Sequence, residues 1–208
     1  MRLPSRKFLL LYVALSIPVG ALFLFVYGAA NRRADELQAA HDLYLSWEPR
    51  IPFVPWFIAF YFSLNFLMWI PLFIFRSARE YYRLAAAFIL ATLVAGAVFY
   101  LYPTRLGYTR IGDQTSLGPV FAFLYEWDRV NNCFPSLHVA FSGIIVLMIW
   151  PLLERTWKRA AALWLALIWV STLLVHQHHL ADIVGGAFLA FMSVRLVRRF
   201  DGFGREKS

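Results

Sequence analysis

Apolar residues in this chain neither alternate nor scatter; they come in six long runs separated by short charged stretches. The runs are Phe8–Tyr27, Phe53–Phe75, Leu84–Tyr102, Pro135–Leu153, Ala160–Gln177 and Ile183–Val197. A helix rises ~1.5 Å per residue, so about 20 residues cross a ~30 Å hydrocarbon layer. Phe53–Phe75 meets that length comfortably, and Pro135–Leu153 and Ala160–Gln177 just meet it. Ile183–Val197 is short, which suits a tilted or interior position. Inside lipid the backbone must satisfy its own hydrogen bonds, and runs this long are not barrel strands. The pattern predicts an all-α protein, a six-transmembrane helical bundle forming a single domain over residues 1–208. The first run also has features of a signal peptide, with Arg2, Arg6 and Lys7 before it and Gly28–Ala30 after it. Its length favours a retained helix.

The segment between the first two runs, Asn31–Pro52, has a pattern of its own. Leu37, Ala40, Tyr44 and Trp47 recur at helical spacing, with Asp35, Glu36, His41, Asp42 and Glu48 between them. That spacing predicts a short interfacial helix in this loop.

Composition agrees with a bilayer setting. Of 208 residues, 61% are hydrophobic and 15% are charged, against roughly 25% charged in an average soluble domain. Disorder and a collagen-like repeat are excluded, and one Cys excludes a disulfide scaffold. The net charge of +8 is not evenly spread. The amino terminus, Arg76–Arg83, Glu154–Arg159 and the tail from Arg195 hold fourteen of the 20 Lys and Arg but four of the 12 Asp and Glu. The two sides then carry +10 and −2. The positive-inside rule puts both termini in the cytoplasm, in a cell inner membrane or plasma membrane. The basicity thus reads as a topology signal, and the case for nucleic-acid binding loses its main support.

Three polar clusters fall at the predicted outer ends of the runs. Tyr102–Arg110 carries Arg105 and Arg110, whose planar forks suit phosphate oxygens or, alternatively, snorkel at the membrane rim. Cys133–His138 opens the fourth run. Pro135 fits a first helical turn, the free N–H groups there make an anion site, and Ser136 and His138 sit beside it. The stretch Ser171–Asp182 holds His176, His178, His179 and Asp182. His178 and Asp182 are i and i+4, so on a helix the carboxylate lies beside the imidazole, fixing its tautomer and raising its basicity. The histidines and Asp182 are also numerous enough for zinc. Two arginines, a helix N-terminus and few carboxylates favour an anion instead, so neither a metal nor a cofactor is expected.

These clusters resemble the signature of the type 2 phosphatidic acid phosphatase superfamily, whose motifs read Lys-x6-Arg-Pro, Pro-Ser-Gly-His and Ser-Arg-x5-His-x3-Asp. Pro135-Ser136-Leu137-His138 matches the second with Leu for Gly, and Ser171-Thr172-x5-His178-x3-Asp182 matches the third with Thr for Arg. Arg110 takes the first-motif Arg, with Ile111 after it and Pro103 where the Lys would stand. The departures are similar to the branch of fungal inositol phosphorylceramide synthase and its bacterial relatives. The resemblance spans about 101–186 and implies a vanadium haloperoxidase-like core. It implies a metal-independent membrane enzyme acting on a lipid phosphate at the outer face. His178 would form a phosphohistidine, Asp182 would hold its ring and His138 would act as general acid and base. Arg105 stands in for the missing Lys. Arg110, Ser136, Ser171, Thr172 and His176 complete the expected phosphate-binding set, with Thr172 and His176 the nearest replacements for the missing Arg. Two acceptors stay open: water, giving a lipid phosphatase, or a lipid alcohol, giving a head-group phosphotransferase. A non-enzymatic lipid or ion carrier is the third reading. The lipid and the oligomeric state are not legible.

Overall fold

The computed structural model describes residues 4–37 and 40–203, and every extended element among them is helical. In chain order the helices are α1 (Arg6–Leu37), α2 (Ile58–Phe62), α3 (Leu64–Leu67), α4 (Ile70–Ile74), α5 (Ala78–Leu101), α6 (Gly118–Trp127), α7 (Leu137–Ile149), α8 (Arg155–Leu174) and α9 (Leu180–Phe203). Four of them are long and apolar enough to cross a membrane: α1, α5, α8 and the Leu180–Phe200 part of α9.

The remaining two of the six expected runs form shorter apolar helices, Pro55–Leu67 and Leu137–Leu152. Phe53–Phe75 divides into α2, α3 and α4: Pro55 opens a 3₁₀ turn before α2, Pro71 stands in the first turn of α4, and the break at Ser63 has no proline beside it. A proline lacks the N–H that would carry a helix through its position. Pro135–Leu153 contracts to α7 and a final 3₁₀ turn at Trp150–Leu152. Eleven of its thirteen helical residues are buried. Enclosed by other helices, α7 need not match the bilayer thickness itself.

The interfacial helix expected in the first loop is also absent among the described residues. α1 instead continues past its apolar run to Leu37, burying Ala30 and Ala34. Beyond the undescribed pair 38–39, the chain runs as extended backbone and turns to a single 3₁₀ turn at Glu48–Arg50. A helix not expected from the apolar runs, α6, caps one end.

Small residues bring the long helices together. α5 buries Ala87, Ala91 and Ala95 in one stripe, and a Cβ at Gly96 would stand 2.1 Å from Val26 of α1. Where α7 meets α9, a Cβ at Gly186 would stand 2.5 Å from the Ser136 carbonyl. Without a hydrophobic drive between helices in lipid, such close approach is what holds them. Ser77 and Glu80 form a capping box that starts α5, satisfying two otherwise orphaned N–H groups.

The three polar clusters converge at one end of the bundle. His41 N–H donates to the Pro103 carbonyl and Arg105 N–H to the His41 carbonyl, Leu106 N–H donates to Val130, and Val54 N–H donates to Leu174 at the end of α8. The loops after α1, α5, α6 and α8 are thereby tied to each other.

Candidate active site

Two hydrogen bonds at Ser136 set the site's frame. The Ser136 N–H donates to the Asp182 carbonyl at 3.0 Å, joining the start of α7 to the first turn of α9. Ser136 is the N-cap of α7, and its hydroxyl accepts from the Val139 N–H. A side-chain cap of this kind is what Ser at such a position supplies. With no exposed surface, Ser136 acts on the helix start.

His178 lies in the junction between α8 and α9, one turn before Asp182. The imidazole Nδ1 is 3.3 Å from Asp182 Oδ2, and the same oxygen accepts the His179 N–H at 2.8 Å. Asp182 is 1% exposed. An acceptor at Nδ1 leaves Nε2 as the nitrogen carrying a lone pair. His138, in the first turn of α7, is held differently. Its Nε2 is 2.7 Å from the Tyr61 carbonyl, and a carbonyl only accepts, so Nε2 carries the hydrogen and Nδ1 the lone pair. The Tyr61 ring stacks on it at 3.9 Å. Both imidazoles line one cavity of about 530 Å³ between α1, α2, α3, α5 and α7.

His176 and His179 face elsewhere. His176 donates from Nε2 to the Ile51 carbonyl at 2.9 Å, and its backbone takes a positive φ of 55°. His179 Nε2 accepts the Gly107 N–H at 3.0 Å, which leaves Nδ1–H to donate to Glu48 Oε2 at 3.1 Å. Tyr108 is sandwiched between these two rings at 4.0 and 4.4 Å, and Tyr44 covers the other face of His179 at 4.6 Å. Burial lowers both histidines from their ordinary value of 6.5. For His179, the Glu48 and Asp182 carboxylates oppose that shift without overcoming it. Burial likewise pushes the Tyr108 phenol up.

The arginines do not assemble as expected. Arg105 reaches out to Asp42 through two hydrogen bonds of 2.6 and 2.8 Å on the exposed surface, and this bond holds the Asp42 carboxyl below its usual range. Arg110 folds back onto α6, donating to the Tyr125 and Asp128 carbonyls with its guanidinium 4.5 Å over the Tyr125 ring. Neither is among the residues that line the cavity: two nitrogens of each fork are held by protein acceptors, and Arg110 Nε is buried with no partner. The hydroxyls of Ser171 and Thr172 donate to carbonyls one turn back, Ile168 and Trp169. The contribution of Thr172 to the junction is its carbonyl, which accepts the N–H groups of Gln177 and His178.

Three participants were missed from sequence. Arg129 is the arginine that lines the cavity. Asp128 accepts the hydroxyls of Tyr27 and Tyr61 at 2.7 and 3.0 Å, which steadies the ring stacked on His138. Glu48, 1% exposed, accepts from His179, from Leu180 N–H and from Leu45 N–H. The acid excess on the basic-poor side was a signal that carboxylates had partners there, but it named none of them. Among the described residues no group of three or more His, Cys, Asp or Glu could hold a metal ion.

Residues 104–204 match the PAP2 superfamily. A comparison with curated proteins and one with solved structures each give no match. The likeness to the PAP2 superfamily supports an enzyme of the phosphatase or phosphotransferase type. With the apolar helices it points to a membrane protein.

Proposed function

We propose, starting from the likeness of residues 104–204 to the PAP2 superfamily, that the protein is a membrane lipid phosphatase. It would hydrolyse a lipid phosphate or diphosphate through a phosphohistidine. The observation that carries the reading is that His178, oriented by Asp182, and His138 line one largely apolar cavity. The charge asymmetry supports an active site on the extracytoplasmic side, with both termini inside.

In the first step His178 Nε2 attacks phosphorus and the bond to the lipid oxygen breaks. His138, protonated, gives its proton to that oxygen as it leaves. Asp182 keeps Nδ1–H of His178 in place and offsets the positive charge on the phosphorylated ring. In the second step water attacks phosphorus, His138 takes its proton, and the phosphorus–nitrogen bond breaks to free phosphate and His178. Arg129 and the Leu137 and His138 N–H groups at the start of α7 hold the non-bridging oxygens as charge shifts among them. Arg105 and Arg110 brace the loops that carry this set.

Transfer to a lipid alcohol is the second reading, favoured by Leu137 and Thr172 standing where the phosphatase motifs have Gly and Arg. Incubating the purified protein with a lipid phosphate, with and without a lipid alcohol, separates the two. Inorganic phosphate released without alcohol supports hydrolysis; a new phosphate-bearing lipid formed only with alcohol supports transfer. Turnover should survive chelation, and its loss with recovery on adding zinc would overturn the metal-independent mechanism.

A further inference from the structure

The cavity does not end at the two histidines. Its polar lining is concentrated at one end, where Tyr27, Tyr61, Asp128, His138 and His178 stand. From there it continues along one face of α1, past Phe23, Val19 and Leu15 to Tyr12, with Ala85, Phe88 and Phe99 of α5 on its wall. From Tyr27 to Tyr12 a helix covers ~22 Å, most of a ~30 Å hydrocarbon layer. The far end is closed by a braced floor. The Tyr12 hydroxyl donates to the Met68 carbonyl, and its ring lies 5.8 Å from Trp69 and 6.1 Å from Tyr81. Midway along, a Cβ built on Gly20 would meet nothing within 4 Å, so the bore is open there.

We infer that this space is a chain-binding chamber. Resting on the lipid-phosphate reading above, one hydrocarbon chain of the substrate leaves the bilayer and lies along α1. It runs from the phosphate at His178 to the floor at Tyr12 and Tyr81. The chamber has the shape of an amphiphile: one polar end, which holds the nucleophile, and one long apolar bore. A chain moving from lipid to an apolar bore gains no hydrophobic free energy, because both surroundings are apolar; what it gains is packing. The chamber therefore selects by length and girth, and Gly20 sets the girth. A bulky residue at Gly20 blocks long chains and leaves short ones unaffected.

The test is Gly20→Phe, with Ile17→Phe as control, since Ile17 is 67% exposed on the outer face of α1. Phe is a better helix former than Gly, so the variant keeps the helix. On a long-chain lipid phosphate, Gly20→Phe should lower kcat/KM by about tenfold or more, with a short-chain, water-soluble analogue turned over as before. The control should change neither. An equal effect on both substrates, or none on either, overturns the chamber. A second readout does not need turnover. A long-chain lipid phosphate with a photoreactive chain end should label the Tyr12–Ser16 and Tyr81–Ala85 regions, and Gly20→Phe should abolish that labelling. Labelling confined to lipid-facing positions such as Ile17 and Phe25 overturns the chamber. Correct labelling without hydrolysis or transfer would keep it and overturn the catalytic reading instead.

Discussion

His178 and His179 are neighbours in the chain and opposites in the fold. His178 has one ring nitrogen beside Asp182 and lines the cavity. His179 has both nitrogens in hydrogen bonds and both faces stacked on tyrosines. The same division holds for their partners: His138 lines the cavity with His178, while His176 joins the ring stack with His179. The same side chain thus serves two purposes within one turn. Where every lone pair and proton is satisfied, an imidazole is an anchor; where one nitrogen is left over beside a cavity, it is available as the reagent that the proposed function requires. The anchor pair ties the Glu48 loop and the Tyr108 loop to the junction that carries the reagent pair.

The comparison breaks most sharply at the nucleophile. His178→Ala should lower turnover of a lipid phosphate on the order of 10⁴-fold or more, measured as phosphate release, with the melting profile retained. His138→Ala should cost about 10²–10⁴-fold as loss of a general acid. The double variant should fall no further than His178→Ala by more than a small factor, because the two act on one proton and one bond. Next comes Arg129. Arg129→Ala should lower turnover about 10²-fold, whereas Arg105→Ala should leave it within a few-fold, because an exposed ion pair such as Arg105–Asp42 contributes little. A reversed order would return Arg105 to the phosphate.

The anchor side should respond in stability instead. Glu48→Ala removes the acceptor for His179, Leu180 and Leu45, and should cost about 2 kcal/mol or more in unfolding. The loss would appear as a lower melting temperature with the catalytic pH profile unmoved. The smallest effect is in pH. His176 and His179 are lowered from 6.5 by burial, so the fold holds them neutral and the unfolded chain takes up protons first on acidification. Their contribution is fully present above pH 6.5 and is lost as pH falls from there through their folded values. The melting temperature should be level above that pH and decline below it, and His179→Gln should make the decline shallower.

Much of the reagent pair could be read in the sequence, and little of the anchor. His178 and Asp182 are four residues apart, a spacing that a helical turn converts directly into contact. His138 follows a proline and a capping serine, which announce a helix start. The partners of the anchor lie far off: Glu48 is 131 residues from His179, and Ile51 is 125 from His176. Periodicity cannot reach across such gaps. Arg105 shows the same limit, since its fork suits a phosphate but Asp42, 63 residues away, takes it. The apolar runs located the long helices well because a bilayer demands length. They did not show that Phe53–Phe75 divides into short helices, one break falling at Ser63, nor that Pro135–Leu153 is enclosed by other helices. Apolar runs were also blind to α1 beyond Tyr27, where charged residues continue a helix outside any hydrocarbon. Of the residues read there as a separate interfacial helix, 35–37 end α1, while 41–48 lie in turns tied to the site by Glu48 and His41.

The central claim is that of two adjacent histidines only one takes the phosphoryl group. Brief reaction with a phosphorus-labelled lipid phosphate, followed by alkaline quench and peptide mapping, tests it directly. The account predicts acid-labile label on His178, absent from His178→Asn and undiminished in His179→Gln. Label on His179, or sustained turnover in His178→Asn, would contradict it.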